Sequence, residues 1–88
     1  MTATTAKMLA HIIREFRYQQ NLSQTDVAKL AGTKQATISV FENNPESTKL
    51  DTLFKILSGL ELELVIQPRN TNLLVEETKN HYQDDEIW

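Results

Sequence analysis

Cysteine is missing from the chain, which excludes a disulfide framework and a cysteine-based zinc site. Glycine and proline occur only twice each. The two glycines, Gly32 and Gly59, cannot build a glycine-rich loop that cradles phosphates. No apolar run is longer than a few residues, so no segment is suited to crossing a membrane. The opening residues, Met1-Thr2-Ala3-Thr4-Thr5-Ala6, lack the apolar stretch of a secretory signal, and a cytoplasmic protein is expected. The two histidines, His11 and His81, share no metal-ligand spacing, and no nucleophile has a recognisable base partner. No catalytic residue, metal or cofactor is therefore expected. What remains is 88 residues of one small domain, whose single core is marginal and which gains from oligomerisation.

A net charge of −3 is unpromising for a nucleic-acid binder, but its distribution matters more than its sum. Residues 1–70 hold eight Lys and Arg against seven Asp and Glu. Residues 71–88 hold one Lys against five acids. The acidity thus sits in a tail, and the near-neutral body suits a binder that reads bases with a few placed groups rather than with bulk charge.

Apolar Met8, Leu9, Ile12, Ile13 and Phe16 recur at three and four spacing, which predicts a helix over roughly 5–20 with that stripe buried. Ser23 is a candidate N-cap for a second helix over 24–31 that buries Val27, Ala28 and Leu30. Gly32 supplies the left-handed stop. A third helix over 34–43 buries Ile38 and Phe41, and Asn43-Asn44-Pro45 breaks it. Thr48 followed by Asp51 resembles a capping arrangement for a fourth helix over 50–60, burying Leu50, Leu53, Phe54, Leu57 and Leu60.

The period then changes. Leu62, Leu64 and Ile66 alternate with Glu63 and Val65 before Pro68, which is the pattern of a strand. A lone strand leaves its backbone unpaired, and its readiest partner is the same strand of a second copy, antiparallel across a two-fold axis. A fifth helix is the competing reading, because Leu and Glu favour helix. The expected fold is mainly α: four to five helices with one C-terminal strand pairing across a dimer. Residues 1–67 are expected to form the folded, dimerising domain, and residues 68–88 a flexible acidic tail.

Two short helices joined at Gly32, with small Ala28 at the crossing, present the third helix as a protruding element. Its outward face carries Gln35, Ala36 and Ser39, with Lys34 and Thr37 beside them. Glutamine can bond adenine bidentately, lysine can reach guanine, and Ala and Thr methyls can touch the thymine methyl. Glu42 is expected in an internal salt bridge or cap, since a carboxylate near phosphate is repelled. Arg14 and Arg17 are expected to be solvated charges on the first helix.

Leu22-Ser23-Gln24, Ala28, Gly32 and Gln35-Ala36-Thr37-Ile38-Ser39 followed by Glu42 resemble the helix-turn-helix of the Xre and phage-repressor family over about residues 5–60. The resemblance implies that Gln35, Ala36 and Ser39 face bases with Lys34 at the helix mouth. It implies that Gln24 contacts phosphate and braces Gln35, with Ser23, Thr37 and Lys49 as further phosphate contacts. The family often has Ser or Thr at Lys34 and Arg or Lys at Val40, so this chain departs from it at both.

A narrower resemblance, to antitoxins of the HipB type, rests on Lys34–Ser39, Phe41-Glu42-Asn43-Asn44-Pro45, Thr52–Leu57, Leu60-Glu61-Leu62, the length and the terminal Trp88. It implies a homodimer joined by C-terminal strands that binds palindromic double-stranded operator DNA in its own promoter. It also implies a complex with a HipA-like serine/threonine kinase toxin, into which Trp88 would anchor. The alternatives are a stand-alone repressor without a toxin partner, and a tail that folds onto its own domain or repels non-specific DNA.

Overall fold

The computed structural model describes residues 1–69. Residues 70–88 of the expected tail, with the Trp88 anchor, lie outside the described residues. Four α-helices run in order: α1 (Ala6–Gln19), α2 (Gln24–Ala31), α3 (Gln35–Asn43) and α4 (Leu50–Gly59), with a 3₁₀ turn at Pro45–Ser47 between the last two. Among the described residues no helix is long and apolar enough to cross a membrane.

The helix starts follow local chemistry. The Thr5 hydroxyl accepts from the Met8 N–H at 3.0 Å. Ser23 and Asp26 form a reciprocal capping box at the start of α2. The expected Thr48–Asp51 cap does not form. Lys49 occupies the N-cap of α4 without a side-chain bond, one residue too late for Thr48 to serve it.

Three helix ends share one device. Gly32 (φ 72°), Asn21 and Glu61 (both φ 58°) are left-handed. Each lets the next residue bond five back: Thr33 N–H to the Ala28 carbonyl at 2.9 Å, Leu22 to Arg17 at 3.1 Å and Leu62 to Leu57 at 2.8 Å. Leu22 and Leu62 are thereby swung against the core.

That core is Ala10 and Ile13 of α1, Val27 and Ala28 of α2, Ile38 and Phe41 of α3, and Ile56, Leu57 and Leu60 at α4. Each fully buried large side chain contributes about 1.5–3 kcal/mol by leaving water. Four expected core residues are exposed instead: Met8, Leu30, Leu50 and Phe54. In α2 the inward face is set by Val27, Ala28 and Ala31, and Leu30 lies about 110° around the helix from its centre. Phe54 is displaced by a similar angle from the Leu53–Ile56–Leu57–Leu60 stripe, and Leu50 sits at the first turn. In α1 the buried face is rotated toward Ala10 and Arg17, leaving Met8 in solvent. Arg17, expected to be solvated, is buried.

Residues 62–68 form neither the strand nor the fifth helix in the single chain. Their backbones from 63 onward make no backbone–backbone hydrogen bond among the described residues.

Gly59 sets how closely α4 approaches α2. A Cβ there would lie 2.8 Å from both the Ala31 amide nitrogen and the Leu30 carbonyl carbon, which are backbone and cannot rotate away. Gly59→Ala should therefore force the helices apart and destabilise the domain by about 1–3 kcal/mol. Thermal unfolding followed by circular dichroism checks this; an unchanged Tm would show that the contact is slack.

Candidate nucleic-acid interface

α3 stands against the inner helices by Ile38 and Phe41 and turns its other face outward. Lys34, Gln35 and Ala36 are exposed at its N-terminal end. Ser39 follows one turn later, half-buried, and accepts from the Asn43 amide at its hydroxyl (3.3 Å) and its carbonyl (3.0 Å).

A chain of hydrogen bonds runs from the core to the tip of this helix. Arg17 grips Glu42 bidentately, Nε to Oε2 at 2.7 Å and Nη2 to Oε1 at 3.0 Å. Its third donor, Nη1, reaches the Leu22 carbonyl at 2.9 Å and so ties the α1–α2 turn into the same group. The Gln24 amide donates to Glu42 Oε1 at 2.9 Å. The Gln24 carbonyl then accepts from Gln35 Nε2 at 2.5 Å.

The direction of this chain is dictated by its first member. A carboxylate only accepts, so Gln24 must point its NH₂ inward and its carbonyl outward. Gln35 must then turn its NH₂ toward Gln24. One Gln35 hydrogen and its whole carbonyl remain free, side by side. That is the donor–acceptor pair adenine requires at N7 and N6. Gln24 likewise keeps one hydrogen to offer a phosphate.

The pair at the root is desolvated: the Glu42 side chain is 3% exposed and that of Arg17 9%. Burial pushes the Glu42 carboxyl up, but the hydrogen bonds from Arg17 and Gln24 outweigh it and leave it below the ordinary carboxylate range. The bond to Glu42 holds the Arg17 guanidinium above its ordinary value. Asp26 is lowered by the Ser23 backbone N–H it accepts.

A second feature lies on the other flank of α3. Ala36, Thr37 and Val40 face Ser47, Thr48, Lys49 and Thr52 across an open notch of about 380 Å³. Thr37 and Lys49, both expected on phosphate, are thus brought to one place. Sequence reasoning named Val40 only as a departure from the family and Thr48 only as a cap, and missed Ser47 and Thr52. The i, i+4 spacing of Ala36 and Val40 was the available signal for Val40; nothing in the sequence marked the hydroxyls as neighbours. Ser23, the remaining phosphate candidate, has its oxygen engaged as the α2 cap but keeps its own proton to donate.

Two helices joined by a left-handed glycine, the second exposed along its reading face, define a helix-turn-helix protein. A helix-turn-helix family model matches residues 13–66, and the chain belongs to that family. Its relatives include the antitoxin HipB of two Escherichia coli strains, 50% identical over 58 residues. That match spans 66% of this chain and 62% or 66% of those proteins, so just under two thirds of their length is covered. The antitoxin HigA1 of Mycobacterium tuberculosis is 37% identical over 62 residues, 70% of this chain and 42% of that one. Among solved structures, a chain of a HipA-HipB-O2-O3 complex superposes with a TM-score of 0.76 at 41% identity, covering 80% of this chain and 99% of that one. A HipB-O4 20mer complex matches with the same values.

Removing one member of a buried ion pair strands the other, so Arg17→Met should cost about 3–5 kcal/mol in stability. The carboxyls of Glu42 and Asp26 are both depressed. Their contribution is therefore present above the unfolded range near about pH 4 and is lost as pH falls through the folded values. Tm should hold level from neutral pH to about pH 5 and then drop, and Glu42→Gln should flatten part of that drop. An identical acid profile in Glu42→Gln would show that the pair does not govern acid stability.

Proposed function

We propose that this chain is a sequence-specific DNA-binding repressor that acts as the antitoxin of a HipA-like serine/threonine kinase and represses its own operon. The observation that carries the DNA half is the oriented chain from Arg17 through Glu42 and Gln24 to Gln35. It presents one amide in one orientation at the leading end of an exposed helix. Gln35 reads an adenine edge, Lys34 reaches a guanine, and Ala36 and Ser39 face the neighbouring pair. Gln24, Ser23, Thr37 and Lys49 take the flanking phosphates. The antitoxin half is supported by the 50% identity to HipB and by the likeness to HipB in its complex with HipA.

The protein works as a homodimer on a palindromic operator, with two α3 helices in successive major grooves about 34–36 Å apart. The dimer is closed by residues 62–66 pairing antiparallel with their copy. Two features support this: the unpaired backbone beyond Leu62, and the exposure of Leu64 and Ile66, the latter 89% exposed. Leu64, Val65 and Ile66 are three consecutive aliphatic residues left exposed among the described residues, and pairing with a second copy would cover them. In this reading Trp88 inserts into the kinase, and the acids beside it meet basic surface there.

Gln35→Ala should weaken operator binding by about 1–3 kcal/mol and relax specificity at one base pair per half-site. Anisotropy titrations on operators varied base by base measure this. A loss that is the same for every sequence would make Gln35 a positioning group.

Co-expression with the product of the adjacent reading frame tests the antitoxin role, which requires that product to be a kinase-like partner. The full chain should co-purify with it, and a chain lacking residues 69–88 should be retained far less. No complex with the full chain would leave a stand-alone repressor.

A further inference from the structure

The notch beside α3 has two chemically different walls. On the α3 side stand Ala36 and Val40, one turn apart on one face, with the methyl-bearing Thr37 between them. On the opposite side stand Ser47, Thr48, Lys49 and Thr52.

The fold makes little use of Val40. It is 47% exposed and is not among the residues that form or flank the core. Valine is also one of the weaker helix formers, because its branched Cβ restricts χ1. Its position on the outward face of a nine-residue helix is therefore explained neither by packing nor by propensity.

In the major groove the C5 methyl of thymine is the apolar group presented by a base, and cytosine lacks it. That methyl stands at the outer edge of the ring, toward the sugar-phosphate strand to which its own base belongs. A thymidine nucleotide thus offers a methyl and an anionic phosphate on neighbouring sides. An apolar wall facing the ammonium of Lys49 and the hydroxyl of Thr52 is its complement.

We propose that the notch between α3 and α4 seats one thymidine nucleotide of the duplex in each half-site. Val40 covers the C5 methyl, and Lys49 faces the phosphate of the same strand. The proposal rests on the assignment of α3 as the reading helix and adds a base that the amide of Gln35 does not read.

The test uses the full-length chain. A preferred duplex is selected from a random-sequence library, and each thymine in it is then replaced by uracil, which deletes the methyl alone. Burying one methyl is worth a factor of about four in affinity. At one thymine per half-site the natural chain should lose about that factor, while Val40→Ala should bind the thymine and uracil duplexes equally. Lys49→Ala should weaken both duplexes to the same extent. Val40→Ala should also melt with the natural chain, since the side chain is outside the core.

If uracil is tolerated at every position, or if Val40→Ala keeps the thymine preference, the proposal is overturned while sequence-specific binding stands on the selected duplex. If selection yields no preferred sequence, the assignment of α3 as a reading helix falls, and this proposal with it.

Discussion

The buried pair between Arg17 and Glu42 is the constraint on which the other features depend. It joins α1 to the last turn of α3 across 25 residues of sequence, and through the Leu22 carbonyl it also holds the turn into α2. Taking two charges out of water is expensive, so such a pair is a poor source of net stability. Its value lies in geometry. A guanidinium fork matches a carboxylate in one plane and leaves little rotational freedom. Glu42 is thus held where its remaining lone pairs can set the direction of the Gln24 amide, and through it that of Gln35. A core made only of aliphatic contacts could place α3 but could not choose which way a surface amide points.

The helices are short, between eight and fourteen residues, and their ends do much of the positioning. Left-handed residues at 21, 32 and 61 reverse the chain after α1, α2 and α4. Gly32 has open space around the position of a Cβ, so a side chain there would meet strain rather than a neighbour. Gly59 is the opposite case: its φ is unremarkable and its lack of a Cβ is what lets α4 lie against the backbone of α2. One glycine thus serves a turn and the other a close approach.

These features also account for a DNA-reading domain whose body is nearly neutral. The groups exposed on and beside α3 are an oriented amide, small side chains, hydroxyls and two lysines, Lys34 and Lys49. Such a surface gains its discrimination from base edges, with a modest electrostatic contribution. The notch between α3 and α4 places one apolar wall beside α3, at Val40, where the resemblance to the Xre family suggests a cation.

Helix positions were legible because capping chemistry, glycine and the apolar period all act within a few residues. Ser23, Gly32 and the breaks at Asn21 and Asn44 placed the helices to within a residue or two. The reading helix and its exposed Lys34, Gln35 and Ala36 were legible for the same reason. Burial was less so. Periodicity names the apolar residues of a helix but not the angle at which the stripe meets its neighbours. Leu30, Leu50, Phe54 and Met8 therefore lie exposed despite their apolar spacing, and Arg17, a charge expected in solvent, is buried because Glu42 pairs with it.

By itself, the sequence determined the local matters: where each helix starts and stops, which small and amide side chains line the outer face of α3, and the apolar alternation at 62–66. Tertiary structure alone decided which charge is buried, which amide orients which, and that Val40 and Lys49 share a notch. The physical reason is range. Caps and turns are set by groups two to five residues apart. An ion pair 25 residues apart, or a cleft between two helices, exists only after the chain has closed on itself.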